Sequence, residues 1–319
     1  MSMRLRHLLA GLALALPLLA AAGTPFSFGV IAHPENAATA TASLKEAIAQ
    51  TDRDNLAFVV ATGIKADDEP CSDALYRERR ALFDSAKNGL IVSLAASDWA
   101  RCLDARKRST AIERIAHVRE MFFTDEFSFG DSKLPLVRQS AIPTFRLYAE
   151  NMHWRIGDVL FATINLPNNN NNYLNAAGRN SEYEDRQVAN SDWLKRLFIT
   201  AKSNRLTGIV LFADANPLAH QERSSGFFSS EKREGFADIR RQLARAAKDF
   251  PGHILIVHGD RDADRDAGRQ QIVWKDNIGA LRIDPLWTRI RVVPAQAQLF
   301  TVARHAGMPG SGERQANGQ

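Results

Sequence analysis

The sequence predicts an α/β fold whose early strands run parallel. Two observations carry this. Short apolar runs of strand length alternate with stretches whose apolar residues recur at helical spacing. That alternation of strand and helix continues along most of the chain, the pattern of a sheet built from crossover units.

In chain order, Phe26-Ser-Phe-Gly-Val-Ile-Ala32 is an apolar run ending at the loop His33-Pro-Glu-Asn36, and it reads as a buried strand. Thr41 to Gln50 follows with Leu44, Ala47 and Ile48 on one helical face. Leu56 to Ala61 is a second buried strand, Asp73 to Ala86 a helix, and Gly89 to Leu94 a third strand. In the second half, Val159–Asn165, Gly208–Ala213 and His253–His258 are strand-like. The amphipathic stretch from about Asp185 to Asn204, carrying Trp193, Leu194, Leu197 and Phe198, separates the first two; Glu234 to Asp249 is a helix before the third. Arg289–Val293 and Gln298–Val302 suit closing strands. No repeat or linker interrupts the pattern, so residues 23–306 read as one domain; the Gly- and Gln-rich tail, 307–319, is expected to be disordered. Ligand sites in such sheets lie at the carboxyl ends of strands, which directs attention to the loops starting at His33, Thr62 and Ala95.

Residues 1–22 have the order of a cleavable signal peptide: basic Arg4 and Arg6, an apolar run from Leu8 to Leu19, then Ala20-Ala21-Ala22 as an A-x-A site before Gly23. The run is short for a bilayer span and contains Pro17, which argues against an uncleaved anchor. No later stretch is apolar enough to span. The expectation is an exported chain, periplasmic or secreted. Of the formal net charge of +5, two charges fall in this leader, and the remaining excess does not suggest a nucleic-acid partner. The chain has two cysteines, Cys71 and Cys102. An even count in an oxidising compartment suggests a disulfide; two separate buried thiols are the alternative.

Three stretches carry a family resemblance: Val59-Val-Ala-Thr-Gly-Ile-Lys65, Glu69-Pro-Cys-Ser-Asp73 and Ala96-Ser-Asp-Trp-Ala-Arg-Cys102. Phe28 to Pro34, the asparagine run Asn168 to Asn172, Ala213-Asp-Ala-Asn-Pro217 and Val257-His-Gly-Asp260 fall in the matching order. The set resembles the exported branch of the calcineurin-like metallophosphoesterases, which reads approximately V-H-x-G-D-I-K, P-C-S-D and G-D-N-E-W-x-x-C. The resemblance implies two mixed β-sheets packed face to face with helices outside. It also implies a dinuclear metal centre at the strand ends that activates water for phosphoester hydrolysis, built on hard ligands and a bridging carboxylate. Cys71 and Cys102 both match cysteines of the pattern.

The departures fall on the ligands. His33 stands where the first loop would offer Asp, with Glu35 two residues on; Ile64 and Lys65 follow Gly63 as if the bridging Asp were deleted. Ser97 replaces the expected Asn, although Asp98 keeps the acid that follows it and is the candidate catalytic residue. His258-Gly-Asp260-Arg-Asp262 ends in Asp where His is expected. Two close cations repel strongly, and isoleucine cannot offset that as a shared carboxylate does. The expectation is therefore no metal, or one weakly held divalent ion on His33, Glu35, Asp98 and Asp262, with Lys65, Ser97, Asn216, His258 and Asp260 lining the site. Alternatively, Lys65 takes the second metal's place and pairs with Asp98 or Glu35. Asp67 and Asp68 are nearby acids that a rearranged loop would have to bring in. The partner in this reading is a phosphorylated small molecule.

Other chemistry finds no support. The alternating acids Asp260, Asp262, Asp264 and Asp266 resemble a calcium loop, but Arg265 and Gln271 occupy the positions where an EF-hand needs Gly and Glu, and shifting the frame to Asp262 places Ala267 and Val273 there. No G-x-S-x-G, H-E-x-x-H or P-loop motif occurs. His117, His153, His220 and His305 stand alone, and the asparagine run reads as a solvated turn or, by its place after a strand, a polar rim. Three functions follow as expectations: a metallophosphoesterase homologue with a degenerate site, a working metal-dependent phosphoesterase with substituted ligands, or an envelope binding or structural protein.

Overall fold

The computed structural model describes residues 23–174, 180–219, 234–259, 271–283 and 286–303. Strands β1 (Phe26–Ile31), β2 (Val59–Thr62) and β3 (Leu90–Ser93) are parallel neighbours. Helices α1 (Ala37–Thr51) and α2 (Asp73–Asp84) connect them, and α3 (Ala111–Phe122) follows. Both crossover helices start on side-chain caps: Asn36 accepts from Thr39 N–H at 3.2 Å, and Ser72 accepts from Leu75 N–H at 3.3 Å. The chain returns to this sheet at its end, with β11 (Trp287–Val292) antiparallel to β1 and β12 (Phe300–Ala303) outside it. The result is a five-stranded mixed sheet, β12-β11-β1-β2-β3.

The second sheet has seven strands: β4 (Val137–Arg138), β5 (Met152–Ile156), β6 (Val159–Thr163), β7 (Gly208–Ala213), β8 (His253–His258), β9 (Val273–Lys275) and β10 (Ile278–Arg282). Their order is β4-β5-β6-β7-β8-β10-β9, with β6, β7, β8 and β10 parallel. Helices α4 (Ser181–Ser203) and α5 (Ala237–Lys248) supply the crossovers.

Strand alternation explains how the layers stack. On β6 and β7, Phe161, Val210 and Phe212 face the first sheet, while Leu160, Ala162, Ile209 and Leu211 face α4 and α5. Between the sheets, Phe28 stacks on Phe58 at 5.0 Å and meets Phe161 and Phe212 edge-on; Phe58 meets Trp154 edge-on at 5.2 Å. The two mixed sheets thus pack face to face, with α4 and α5 on the outer face of the larger one.

Strands β7 and β8 have the bounds expected from sequence. The expected first helix starts earlier, at Ala37, because Asn36 caps it there. Helix α3 and strands β4, β5, β9 and β10 were not anticipated. The β10 sequence Ile-Gly-Ala-Leu-Arg has little β propensity. It forms a strand because β8 pairs one side and β9 the other, and Gly279 is needed there: a Cβ would sit 2.6 Å from Ile272 and 2.8 Å from Trp274. The expected leader 1–22, the tail, Asp260 and Asp262 lie outside the described residues. Among those described, no helix is long and apolar enough to cross a membrane.

Candidate functional site

Parallel strands of both sheets end at one side of the sandwich, and their loops are tied together there. Asp214, at the end of β7, accepts the Ala96 N–H after β3 and the Asn168 N–H after β6 on the same Oδ2, each at 2.8 Å. Gly259, after β8, donates to Asp214 O at 3.2 Å, and a Cβ on it would lie 3.7 Å from His33 Cβ. The β1, β3, β6, β7 and β8 loops therefore meet around Asp214.

His33 packs against the β2 loop. Its Nε2 is 2.8 Å from Ser97 Oγ, and its ring fills the space that a side chain at Gly63 would take: a Cβ there would be 2.5 Å from His33 Cδ2. Gly63 also has φ +106°, which disfavours any side chain. Ser97 has one hydroxyl proton and two neighbours that only accept, Lys65 O at 2.9 Å and the ionised Asp98 Oδ1 at 3.3 Å. The tautomer with the proton on His33 Nε2 satisfies all three contacts. In that tautomer Nε2 neither ligates a metal nor removes the Ser97 proton.

Asp98 is fully buried and works as a brace. Oδ1 accepts the Ile64 and Lys65 N–H groups at 2.9 and 3.2 Å, and Oδ2 accepts Ala95 N–H at 2.8 Å. Burial pushes its carboxyl up to about 6, against the pull of those donors and of the Lys65 charge. The Lys65 ammonium, itself held below its ordinary range by burial, donates to Ala66 O at 2.7 Å. It forms no ion pair with Asp98, so of the alternative in which Lys65 pairs with Asp98 or Glu35, the Asp98 pairing is replaced by a backbone contact. Asp67 pairs with Arg101, and Asp68 accepts Ala37 N–H at the start of α1 at 2.7 Å; neither turns toward the place of the missing bridging acid.

The third and second loops are covalently joined. Cys71 and Cys102 form a disulfide with a Cα–Cα distance of 5.8 Å, and their sulfurs lie 4.0 and 3.9 Å from Ser97 O. The buried Tyr76 hydroxyl donates to Asp98 O at 2.8 Å. Burial drives that phenol well above its usual range, which keeps it a donor. Glu69 accepts Ala66 N–H at 2.8 Å and Arg79 at 2.5 Å, fixing the same loop from below.

Of the residues singled out by sequence, His33, Lys65, Ser97 and Asp98 form one connected group. Glu35 is exposed and lines, with His33, Thr39, Ser43 and Leu286, a cleft of about 230 Å³ beside it. Asn216 accepts Leu218 N–H at 3.0 Å and starts a turn. His258 ends β8 in register with Ala213; Ile254 and Ile256 face α4 and α5, so alternation sends His258 to that side as well. Asp214 was not anticipated, although a lone acid directly after an apolar strand was the available signal.

The asparagine run is a half-buried turn with one buried member, Asn171, bonded into its surroundings. Asn170, Asn171 and Asn172 have φ of 56°, 56° and 53°, a left-handed stretch that asparagine tolerates. Asn171 is buried; its Oδ1 accepts from Arg186 at 2.5 Å and its Nδ2 donates to Gly235 O at 2.9 Å. Arg186 in turn stacks 5.4 Å over the Trp99 ring, next to Asp98.

These donors do not fit the two-metal centre implied by the resemblance. The Asp98 oxygens accept three backbone N–H groups, the candidate imidazole nitrogen is bonded to Ser97 Oγ, and isoleucine stands where the resemblance calls for a bridging acid. Among the described residues no three His, Cys, Asp or Glu side chains are grouped to hold a metal ion. No family model matches the chain, and a search of curated proteins finds no match.

Proposed function

We propose that this chain is an exported metallophosphoesterase-like protein that binds a small ligand rather than hydrolysing phosphoesters at a dinuclear centre. One observation carries the reading: Asp98, the acid kept at the third loop, spends both carboxylate oxygens on Ile64, Lys65 and Ala95 N–H. A carboxylate so engaged holds two loops together through main-chain donors. The order of the motifs supports the family, the two mixed sheets support the architecture, and the leader with the disulfide supports export. Ligand binding is assigned to the cleft beside His33 and Glu35, whose wall combines the apolar Ile31, Pro34 and Leu286 with the hydroxyls of Thr39 and Ser43.

The test is hydrolysis of a generic phosphomonoester and a generic phosphodiester with added manganese, together with the metal content of the purified chain. Turnover near background is expected. Robust metal-dependent turnover that both His33→Ala and Asp98→Ala abolish, with the folded state checked by circular dichroism, overturns the binding reading in favour of an enzyme with substituted ligands. Protein recovered outside the cytoplasm is expected to begin near Gly23; an intact Met1 on a membrane-bound product reverses the assignment of export.

A further inference from the structure

The segment between Cys102 and Thr110 forms a braced finger. Thr110 N–H bonds to Cys102 O at 2.9 Å, Leu103 bridges Ser109, and Asp104 N–H bonds to Arg108 O at 2.9 Å. Asp104 also accepts the Arg106 and Arg108 N–H groups at 2.8 and 2.9 Å, and Lys107 turns the chain with φ 62°. The finger is therefore held in one shape without any packing over its tip. Arg106, Lys107 and Arg108 are all exposed; Arg108 pairs with Asp104 at 2.7 Å, while Arg106 and Lys107 join no ion pair among the described residues. Two apolar side chains close by in sequence are also exposed, Leu103 at 54% and Ile112, in the first turn of α3, at 66%.

We propose that this finger docks the protein on an anionic lipid surface. Consecutive exposed basic residues are drawn to a negatively charged leaflet. Exposed leucine and isoleucine beside them gain only from a partner with an apolar interior, which a lipid surface offers and a dissolved polyanion does not. The finger's root lies among the site loops: Arg101 bonds to Asn168 at 2.7 Å and pairs with Asp67, and Cys102 is tied to Cys71 beneath Ser97. Docking by the finger would turn that end of the sandwich toward the surface. This inference does not depend on whether the site binds or hydrolyses.

The experiment is cosedimentation of the exported protein, recovered without residues 1–22, with vesicles of phosphatidylcholine containing about one third phosphatidylglycerol, and with pure phosphatidylcholine, at low and high salt. With the basic, apolar leader absent, binding to the vesicles reports on the finger and not on residues 1–22. Wild type is expected to prefer the anionic vesicles and to be released by salt. The double variant Arg106→Glu/Lys107→Glu is expected to bind them at least about tenfold more weakly, and Leu103→Ser about threefold more weakly. All the substituted side chains are exposed, and an unchanged thermal midpoint establishes that the variants fold. Equal binding to both vesicle types, a charge-reversed variant that binds like wild type, or a wild type that binds heparin but not vesicles overturns the proposal.

Discussion

Replacing Asp98 by Asn keeps the shape of the brace and removes its charge. In the folded chain the carboxyl titrates near 6, against 3.8 for the ordinary group, because burial penalises the ionised form more than its three N–H donors and Lys65 favour it. Between those two values the folded chain holds a proton that the unfolded chain has released. Stability from this group is therefore fully present below about pH 4 and is lost as the pH rises through 6. At 1.36 kcal/mol per unit, the loss is about 3 kcal/mol. The amide variant cannot titrate, and it carries its own constant cost, since an NH2 now faces at least one of the Ile64, Lys65 or Ala95 N–H groups and leaves it unsatisfied. Denaturant unfolding of both proteins from pH 4 to pH 7.5 separates the two effects. The amide's own cost is the same at every pH, whereas the wild-type advantage over it should shrink by about 2–3 kcal/mol across the window. A difference that stays flat, or that grows with pH, refutes the placement of an ionisable carboxylate fully out of water at this point.

Gly63→Ala should destabilise the fold by about 1–3 kcal/mol, since it forces a side chain into a left-handed position and against the His33 ring; thermal unfolding measures this, and a neutral outcome contradicts the contact. Removing the disulfide with Cys71→Ser/Cys102→Ser, a separation of 31 residues, should cost about 3–4 kcal/mol by loop-closure entropy, read by denaturant unfolding.

Much of the architecture was legible because buried strands write themselves as apolar runs. Gly208–Ala213 and His253–His258 are central strands covered on both faces, and composition alone marks them. Met152–Ile156 and Ile278–Arg282 escaped for the opposite reason. The first carries His153 and Arg155 on its less covered positions, and the second contains a glycine chosen for what packs on it rather than for strand propensity. Within the site, following each strand to its end located His33, Lys65, Ser97 and Asp98. It did not locate Asp214, whose role is to collect backbone N–H groups from two other loops, 118 and 46 residues away in sequence. Backbone partners leave no residue-type signature at the far end. For the same reason sequence marked Asp98 as a candidate catalytic and ligand residue, whereas its partners in the structure are main-chain donors.

The five consecutive asparagines look interchangeable when written out, yet each has a separate task. Asn168 accepts from Arg101, Asn169 from the Asn172 N–H, and Asn170 from the Gly235 N–H; Asn171 meets Arg186, and Asn172 donates to Glu182. A homopolymeric stretch is where gain or loss of a single unit is easiest to overlook, because the spelling before and after is the same letter. Here one unit more or less would slide every task onto the wrong neighbour and pull the buried amide away from the guanidinium that rests on Trp99. The run should therefore tolerate a change in its letters better than a change in its count, the reverse of what is expected of a spacer.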